Sequence, residues 1–411
     1  MYDVYEIRKH FPMLDGTKKM QGEDLVFLDN ASTTFKPYEV IDAVNHYYKD
    51  ITSNSHRGDY DLAYEVDVEI EKTRKTVARF INASSHKEVV FTAGTSMSIN
   101  LIAYGYGLKF LTKDDEILIT EAEHASNVLP WFRVSELTGC KINYIPLDET
   151  GHITPENLRK VISNKTKIVS VAHIGNVLGY INPIKELADI THEYGAVLCC
   201  DGAQSVPHIK TDVQELGIDF LSFSGHKMCG PTGIGVLWGK YELLQKMDPF
   251  MTGGGMNAKF DMCGDVAYLD APSKFEAGTE NIAGIIGLRA AVEFLESIGI
   301  ENVANHEQNL RKYFMEQIKD IPDLKIYNPD GATGIITFNR IGVFAQDEAT
   351  LLNSKGIAVR SGQHCAKILV DFLKDVATVR ISTYLYTTKE ELDKVIKELK
   401  DGGDILDAYF K

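Results

Sequence analysis

The sequence has no long hydrophobic run. None of its apolar stretches reaches the roughly 20 residues that a membrane-spanning helix requires. The first 14 residues, MYDVYEIRKHFPML, mix charged and apolar side chains, whereas a signal peptide has a continuous apolar core. We therefore expect a cytoplasmic protein that does not associate with a membrane.

Cysteines in metal-binding or disulfide-like spacing are also missing. The six cysteines are irregularly spaced and form no CxxC pair; they are Cys140, Cys199, Cys200, Cys229, Cys263 and Cys365. This spacing favours free thiols in a reducing compartment and predicts no metal site.

The sequence also lacks an excess of positive charge. The chain has 43 Lys and Arg against 58 Asp and Glu, which gives a formal net charge of −15, and no local basic patch is present. Nucleic acids and anionic lipids attract basic surfaces, so we expect neither as a partner. The length of 411 residues favours two domains that share an interface.

Helix-like and strand-like segments alternate from about residue 60. The segment DLAYEVDVEIEKTRKTVARF is predicted to be a helix that places five apolar residues on one face: Leu62, Val66, Ile70, Val77 and Phe80. Short apolar runs such as EVVFTAG, DEILIT, KIVSVAHI, AVLCCDG and FLSFSGH follow, with helical segments between them. This alternation predicts an α/β fold with a mostly parallel sheet covered on both faces.

The pattern changes after about residue 295. Two long helices are predicted, at about 302–320 and 388–401, around short strands such as GIITFN and VRISTYL. We expect a large domain over 20–295 and a smaller α/β domain formed by 1–19 and 296–411.

Polar residues follow the predicted strands of the large domain. In parallel sheets, ligands bind at the carboxyl ends of the strands, so these residues are expected to meet. They are Thr95, Ser96, His124, Asn176, Asp201, Gln204, Ser224, His226 and Lys227. Each alone is compatible with an ordinary turn or capping role.

Together these residues supply what a pyridoxal phosphate enzyme needs. Lys227 offers an amine for a Schiff base with the aldehyde, and a carboxylate such as Asp201 keeps the pyridine nitrogen protonated. Thr95 and Ser96 open a predicted helix, whose N-terminus suits a phosphate. The ionised Asp201 follows the apolar run AVLCC and needs a cationic partner to offset its burial.

The loop GPTGIG does not indicate a nucleotide-binding site. In a P-loop, the lysine and a Ser or Thr follow the glycines, whereas Lys227 precedes them here.

Long motifs over nearly the whole chain extend this interpretation. They include LDNASTT (28–34), NSHRGDYDLA (54–63), HIGNVLGYINPI (173–184), CDGAQSVPH (200–208), SFSGHKMCGPTGIGVLW (222–238), KFEAGTENIAGIIGL (274–288) and GIAVRSGQHCA (356–366). In these motifs the sequence resembles the class V aminotransferase superfamily of fold-type I pyridoxal phosphate enzymes. The cysteine in RSGQHCA narrows the resemblance to the SufS-type (group II) cysteine desulfurases.

The resemblance implies a role for individual residues around the cofactor. Lys227 is the Schiff-base lysine, Asp201 pairs with the pyridinium, Gln204 bonds the ring oxygen, and His124 stacks on the ring and acts as an acid or base. The implied phosphate ligands are Thr95, Ser224, His226 and, from the second protomer of a homodimer, Thr279. The implied residues of the substrate pocket are Asn176, Arg380, Arg360 and, with less weight, His56.

The resemblance also implies the reaction. Cys365 attacks the sulfur of L-cysteine, takes it as a persulfide and leaves L-alanine, so that sulfur passes to an acceptor protein for iron–sulfur cluster assembly. The alternatives are a selenocysteine lyase, which shares the cofactor residues and depends less on Cys365, another class V lyase or transaminase, and a sulfur-relay scaffold without turnover.

Two positions depart from the family pattern. Gln363 stands where the group II loop usually has histidine, and Met97 stands where many relatives have glutamate. The first bears on thiolate activation or the sulfur acceptor, and the second on the dimer interface.

Overall fold

A seven-stranded sheet is the largest element of the computed structural model, which describes residues 2–55 and 58–402. The strands in chain order are β1 Lys19–Met20, β2 Glu23–Asp24, β3 Val26–Phe27, β4 Val89–Thr92, β5 Glu116–Thr120, β6 Lys141–Ile145, β7 Thr166–Ala172, β8 Val197–Asp201, β9 Phe220–Ser224, β10 Gly235–Gly239, β11 Asn257–Phe260, β12 Val266–Tyr268, β13 Leu324–Ile326, β14 Ile335–Arg340, β15 Ile357–Ala358, β16 Arg360–Gly362 and β17 Thr378–Ser382.

Helices connect most of these strands. In chain order they are α1 Val4–Arg8, α2 Tyr38–Asp50, α3 Asp61–Phe80, α4 Thr95–Ile102, α5 Leu108–Phe110, α6 Leu129–Thr138, α7 Pro155–Val161, α8 Ile184–Glu193, α9 Val213–Leu216, α10 Tyr241–Lys246, α11 Ile282–Ile298, α12 Ile300–Ile318, α13 Ala345–Ser354, α14 Lys367–Phe372 and α15 Lys389–Asp401. A π-helical turn, Ala103–Gly107, joins α4 to α5. Within the described ranges, no helix is long and apolar enough to cross a membrane.

The large sheet has the strand order β4-β10-β9-β8-β7-β5-β6. The pairs β9–β8, β8–β7, β7–β5 and β5–β6 are parallel, which confirms the predicted α/β fold with a mostly parallel sheet. The exception is β10, which is antiparallel to both β9 and β4. The connection from β9 to β10 is too short for the helical crossover that a parallel neighbour requires.

The parallel strands place the candidate residues at one edge of the sheet. The strands β8 and β9 are buried along their whole length, and Asp201 and Ser224 are their last residues. Because these strands run in the same direction, the residues that end or follow them lie side by side.

The buried face of α3 differs in one detail from the predicted apolar face. Val66, Ile70 and Val77 are buried, as expected, but Leu62 is 42% exposed and Phe80 is only partly buried. The buried stripe instead begins at Ala63 and follows the helical period of about 3.6 residues along the face that packs mainly against α11.

The C-terminal part contains a four-stranded antiparallel sheet of order β13-β14-β17-β16. The helix α1 contacts the start of α15: Arg8 Nη1 donates to Glu391 Oε1 at 3.0 Å and to the carbonyl of Tyr386 at 2.7 Å. The strand β15 pairs with β3 from the N-terminal segment. The proposed division into two domains near residue 295 stays a prediction.

A buried ion pair holds β4, the strand that leads into α4. The Arg74 guanidinium donates to both carboxylate oxygens of Glu276, at 2.9 and 2.8 Å, and to the carbonyl of Val89 at 2.7 Å. Glu276 also accepts the N–H of Phe91 at 2.8 Å. Both charged side chains are at most 5% exposed. Hydrogen bonds between the two side chains and to the strand therefore replace the hydrogen bonds that each would make with water.

Removing one partner of this pair is expected to be costly. In Glu276→Ala, the buried Arg74 loses the carboxylate that accepts two of its N–H groups and keeps only the more exposed Glu71, 3.0 Å from its Nε, as a counter-ion. We expect the free energy of unfolding to fall by about 3–5 kcal/mol. The matched control is Glu193→Ala in the exposed Arg159–Glu193 pair, for which we expect less than about 1 kcal/mol. Denaturant unfolding of both variants measures the difference, and equal losses would contradict the assignment.

Candidate active site

One cleft at the carboxyl edge of the large sheet collects most of the predicted site residues. It is lined by Ala31, Ser32, Thr95, Ser96, His124, Ser126, Ala172, Ile174, Asn176, Asp201, Ala203, Gln204, Ser224, His226, Lys227, Arg360, His364 and Arg380. The four-stranded sheet contributes Arg360 and Arg380, so the cleft lies where the two sheets meet.

Lys227 enters the cleft from a tight turn. The strand β9 ends at Ser224, and a 3₁₀ turn, Gly225–Lys227, follows it at once. Enclosure of the amine lowers its pKa to about 8, against the opposing effect of the Asp201 carboxylate. At pH 7 roughly a tenth of this amine is therefore neutral, far more than of an ordinary lysine, and the neutral form is the one that acts as a nucleophile or base.

Asp201 is the buried carboxylate opposite this amine. Its side chain accepts one hydrogen bond, from the N–H of Ala203 at 2.9 Å. Burial raises its pKa, while that hydrogen bond and the charge of Lys227 act in the other direction. The described residues supply no cation bonded directly to this carboxylate, which fits a site for a cationic group on a ligand.

His124 is a neutral imidazole in this environment. Its Nδ1 accepts the N–H of Ser126 at 3.1 Å, which leaves the proton of the neutral ring on Nε2. Burial and the positive charge of Lys227 lower its pKa to about 4, so the ring is uncharged at physiological pH.

Hydroxyl groups and backbone N–H groups gather at the first turn of α4. Ser224 Oγ accepts the N–H of Thr95 at 2.8 Å and lies 2.7 Å from Thr95 Oγ1. Ser96 Oγ lies 2.6 Å from Ser126 Oγ. A helix N-terminus with several hydroxyls suits an anion such as a phosphate.

Four buried polar atoms in the cleft have no hydrogen-bond partner among the described residues. They are Asn176 Oδ1, Gln204 Oε1, His364 Nδ1 and Arg380 Nε. Buried polar atoms are nearly always satisfied in folded proteins. Their convergence on one cleft therefore indicates a polar ligand.

Two guanidinium groups share one hydroxyl at the side of the cleft away from α4. Ser32 Oγ accepts from Arg360 Nη1 at 2.8 Å and from Arg380 Nη2 at 2.9 Å. Arg380 also donates to Asp29 Oδ1 at 2.8 Å. With two cations and one carboxylate, this corner has an excess positive charge that suits the carboxylate of a substrate.

Cys365 lies at the rim of the cleft. Its side chain is exposed, and Arg360 Nη2 donates to its sulfur at 3.6 Å. Cys365 and the preceding His364 both have left-handed backbone conformations, with φ of 57° and 52°.

The loop that contains Cys365 is held from the large sheet. Asn176 Nδ2 donates to the carbonyl of His364 at 2.8 Å, and the N–H of Ala125 donates to the carbonyl of Cys365 at 2.7 Å. Left-handed conformations of non-glycine residues are unfavourable and persist only when surrounding contacts fix them. The loop is thus positioned by residues from both sheets.

Some sequence-predicted residues lie elsewhere. Thr279 lines a second cleft together with Met97 and lies 3.1 Å from Asn54 Oδ1. Its implied role in a second protomer stays a prediction. His56 lies outside the described residues. Gln363 is exposed, and its backbone carbonyl accepts the N–H of Ala366 at 2.8 Å.

Several residues of the site were not predicted. Ser32, Ser126 and His364 line the cleft, and Asp29 bonds Arg380. All four belong to stretches that the sequence marks, LDNAS, EHAS and RSGQHC. Within residues 2–55 and 58–402, no group of three or more His, Cys, Asp or Glu is arranged to bind a metal ion.

Glu123, next to His124, is another buried carboxyl that was not predicted. It accepts three hydrogen bonds, from Thr120 Oγ1 at 2.7 Å, Asn127 Nδ2 at 2.7 Å and Ala172 N at 3.0 Å. Burial raises its pKa to about 7, and the nearby Asp201 charge contributes to this rise.

The chain was compared with known proteins. The family model for aminotransferase class-V matches residues 26–395. A probable cysteine desulfurase of Halalkalibacterium halodurans is 48% identical, with 97% of each chain covered.

Solved structures agree with this family match. The cysteine desulfurase CsdA (S-sulfonic acid) of Escherichia coli has a TM-score of 0.91 at 35% identity, with 99% of each chain covered. The apo cysteine desulfurase of Thermococcus onnurineus has a TM-score of 0.92 at 34% identity, with 98% of each chain covered.

The raised pKa of Glu123 makes a prediction about stability and pH. Because the folded pKa of about 7 exceeds the ordinary value of 4.5, this group's contribution to stability is fully present below about pH 4.5 and is lost as the pH rises through about 7. Glu123→Gln mimics the protonated form: its amide oxygen can accept the hydrogen bonds of Asn127 and Ala172, and its amide nitrogen can donate to Thr120 Oγ1, which reverses the third bond. We expect its melting temperature, relative to that of the wild type, to rise between about pH 5 and pH 8.

Thermal unfolding across this pH range measures that difference. The control is Glu136→Gln, a change of an exposed carboxylate that leaves the difference from the wild type nearly independent of pH. A difference for Glu123→Gln that is equally flat would show that Glu123 does not titrate as described.

Proposed function

This chain belongs to the class V aminotransferase family, and on that premise we propose that it is a pyridoxal phosphate-dependent L-cysteine desulfurase that converts L-cysteine to L-alanine. The single observation that supports this proposal best is the combination in one cleft of three groups: the enclosed Lys227 amine, the buried Asp201 carboxylate and the exposed Cys365 thiol at the rim.

The residues present fit pyridoxal phosphate. Among the residues that the structure describes, the Asp201 carboxylate has no bonded cation and four buried polar atoms of the cleft have no partner, while the first turn of α4 gathers hydroxyls. When bound, the cofactor supplies an aldehyde that reacts with amines and a ring that withdraws electrons from the α-carbon of the substrate. Asp201 would hold the pyridine nitrogen, and Gln204 and His124 would contact the ring.

The other end of the cofactor would lie at α4. Thr95, Ser224 and His226 would hold the phosphate, with Ser96 and its neighbour Ser126 beside them. Burial and the charges of Lys227 and Lys36 lower the pKa of His226 to about 4, so His226 would meet the phosphate as a neutral donor.

Lys227 would tether the cofactor and then act as a base. Its lowered pKa of about 8 allows the amine to take the proton from the α-carbon of the substrate and return it to a neighbouring atom. The neutral His124, with its proton on Nε2, would act beside the same reacting centre as a second proton donor.

The substrate carboxylate would bind between Arg360 and Arg380. Both guanidiniums converge on Ser32 Oγ, and within residues 2–55 and 58–402 Asp29 is the one carboxylate within hydrogen-bond distance of them. Asn176, whose carbonyl oxygen Oδ1 is free, would accept a hydrogen bond from the ligand.

Cys365 would receive the sulfur. Its thiolate attacks the substrate sulfur, so that an S–S bond forms while the Cβ–S bond of the substrate breaks, and the carbon keeps the electron pair and is protonated. The sum is L-cysteine plus the thiol of Cys365 giving L-alanine plus a persulfide on Cys365. Arg360, whose Nη2 donates to the sulfur at 3.6 Å, would orient the attacking group.

The wider setting belongs to the same proposal. We infer a cytoplasmic homodimer in which Thr279 of one protomer reaches the phosphate site of the other. The exposed Cys365 would hand its sulfur to an acceptor protein for iron–sulfur cluster assembly. The group II subtype and the effects of Gln363 and Met97 stay predictions.

The role of Lys227 can be tested by removing its amine. We expect Lys227→Ala to bind pyridoxal phosphate noncovalently, without the shift of the absorption band to longer wavelength that linkage to a lysine causes, and to form no alanine above background. An exposed lysine on α2, Lys49, serves as the control: Lys49→Ala stays yellow and active. Alanine formed at the wild-type rate by Lys227→Ala would show that another residue is the tether.

The role of Cys365 can be tested by alanine release from L-cysteine under reductant. We expect the wild type to release alanine and Cys365→Ala to release almost none, because the sulfur then lacks its acceptor. The matched control is Cys263→Ala, since Cys263 is the other exposed cysteine, and its rate stays unchanged.

Two other outcomes would replace the proposal. Undiminished alanine from Cys365→Ala would indicate a lyase, with L-selenocysteine as the next substrate to try. No alanine from the wild type would indicate another class V reaction, or a sulfur-relay scaffold if the protein turns over no amino acid.

A further inference from the structure

The carbonyl of His226, the residue before Lys227, accepts an unusual number of hydrogen bonds. Four donors from residues 33–36 lie within 3.1 Å of it: Thr33 Oγ1, Thr34 N, Thr34 Oγ1 and Lys36 Nζ. A carbonyl oxygen has two lone pairs. Because four donors share these two lone pairs, at most about two of them bond fully at one time, and the group as a whole keeps the peptide that leads into Lys227 in place.

The same segment holds the other side of the turn. The N–H of Cys229 donates to Thr34 Oγ1 at 2.9 Å, and Cys229 has a left-handed φ of 64°. Such a conformation is strained for a residue with a side chain and persists only when its surroundings over-determine it. Residues 33–36 thus fix the turn both before and after Lys227.

Lys36 is the least expected member of this group. Its ammonium donates to the carbonyls of Thr34 and His226, and no carboxylate in the described part of the chain pairs with it. Burial lowers its pKa to about 8. A lysine enclosed without a counter-ion costs stability, and its hydrogen bonds go to the peptide beside Lys227.

We propose that Lys36 is a positioning residue for Lys227: its ammonium holds the carbonyl of His226 and thereby fixes the turn from which the Lys227 amine enters the cleft. Lys36 does not line the cleft, so it acts through the turn and does not touch the substrate or the cofactor. This inference rests on the proposed function, because it concerns the lysine that would tether the cofactor.

The main test is Lys36→Met, which keeps the length of the side chain and removes its charge and donors. Adding pyridoxal phosphate to the apoprotein and following the visible band reports how fast Lys227 links to the cofactor, without any turnover of cysteine. Because the variant removes a charged donor from the His226 carbonyl, we expect the band to form roughly tenfold more slowly. For alanine formation we expect kcat to fall by about the same factor while KM changes less than about twofold.

Graded variants separate positioning from a general loss of stability. Thr33→Val removes one donor and keeps the charge, and we expect its band to form within about threefold of the wild-type rate. Lys36→Arg keeps the charge and the donors, and we expect it to restore most of the rate lost in Lys36→Met. If Lys36→Met does not fold, Lys36→Gln, which keeps a donor but loses the charge, replaces it with the same expected direction.

The outcomes distinguish this inference from the proposed function. If folded Lys36→Met forms the band at the wild-type rate and has the wild-type kcat, the positioning role is overturned. A lower melting temperature does not rescue it if band formation and kcat are both unaffected. A wild type that links pyridoxal phosphate but makes no alanine would overturn the desulfurase proposal, while the rate of band formation would still support or refute the role of Lys36.

Discussion

Taking one charged group from water into a protein interior costs several kcal/mol, and this cleft encloses both an amine and a carboxylate. Lys227 and Asp201 oppose each other there, and each partly offsets the shift that burial causes in the pKa of the other. The parallel strands β8 and β9 make this arrangement possible, because they bring two chain segments to the same edge of the sheet. The placement of the remaining polar groups follows from that edge.

Charge within the cleft is distributed unevenly. The first turn of α4 offers hydroxyls and the positive end of a helix, the end of β8 offers a carboxylate, and β16 and β17 offer two guanidiniums, of which Arg380 is bonded to Asp29. A ligand with two anionic groups and a cationic ring nitrogen would satisfy all three regions. The cleft is therefore selective for ligands with this pattern of charges, independently of Cys365.

Sequence reasoning predicted the parallel α/β sheet and eleven of the residues that line the cleft, because strand periodicity and the polar residues after each strand are local signals. It did not predict β10, whose direction depends on a short connection between strands, or the burial of Glu123. The sequence also did not predict the packing of Ser32 and Asp29 against Arg380, because these contacts join residues about 350 positions apart. A local pattern has no information about which distant segment will supply a hydrogen-bond partner.

The hydrogen bonds on the His226 carbonyl have a consequence for how the chain is made. Its partners in the segment 33–36 are synthesised about 190 residues earlier, which corresponds to about 10–40 s at ordinary rates of translation. During that interval the segment has no turn to hold, and Arg380 emerges later still. The catalytic geometry is therefore completed only near the end of synthesis, and a nascent chain released early would contain the lysine without the surroundings that make it reactive.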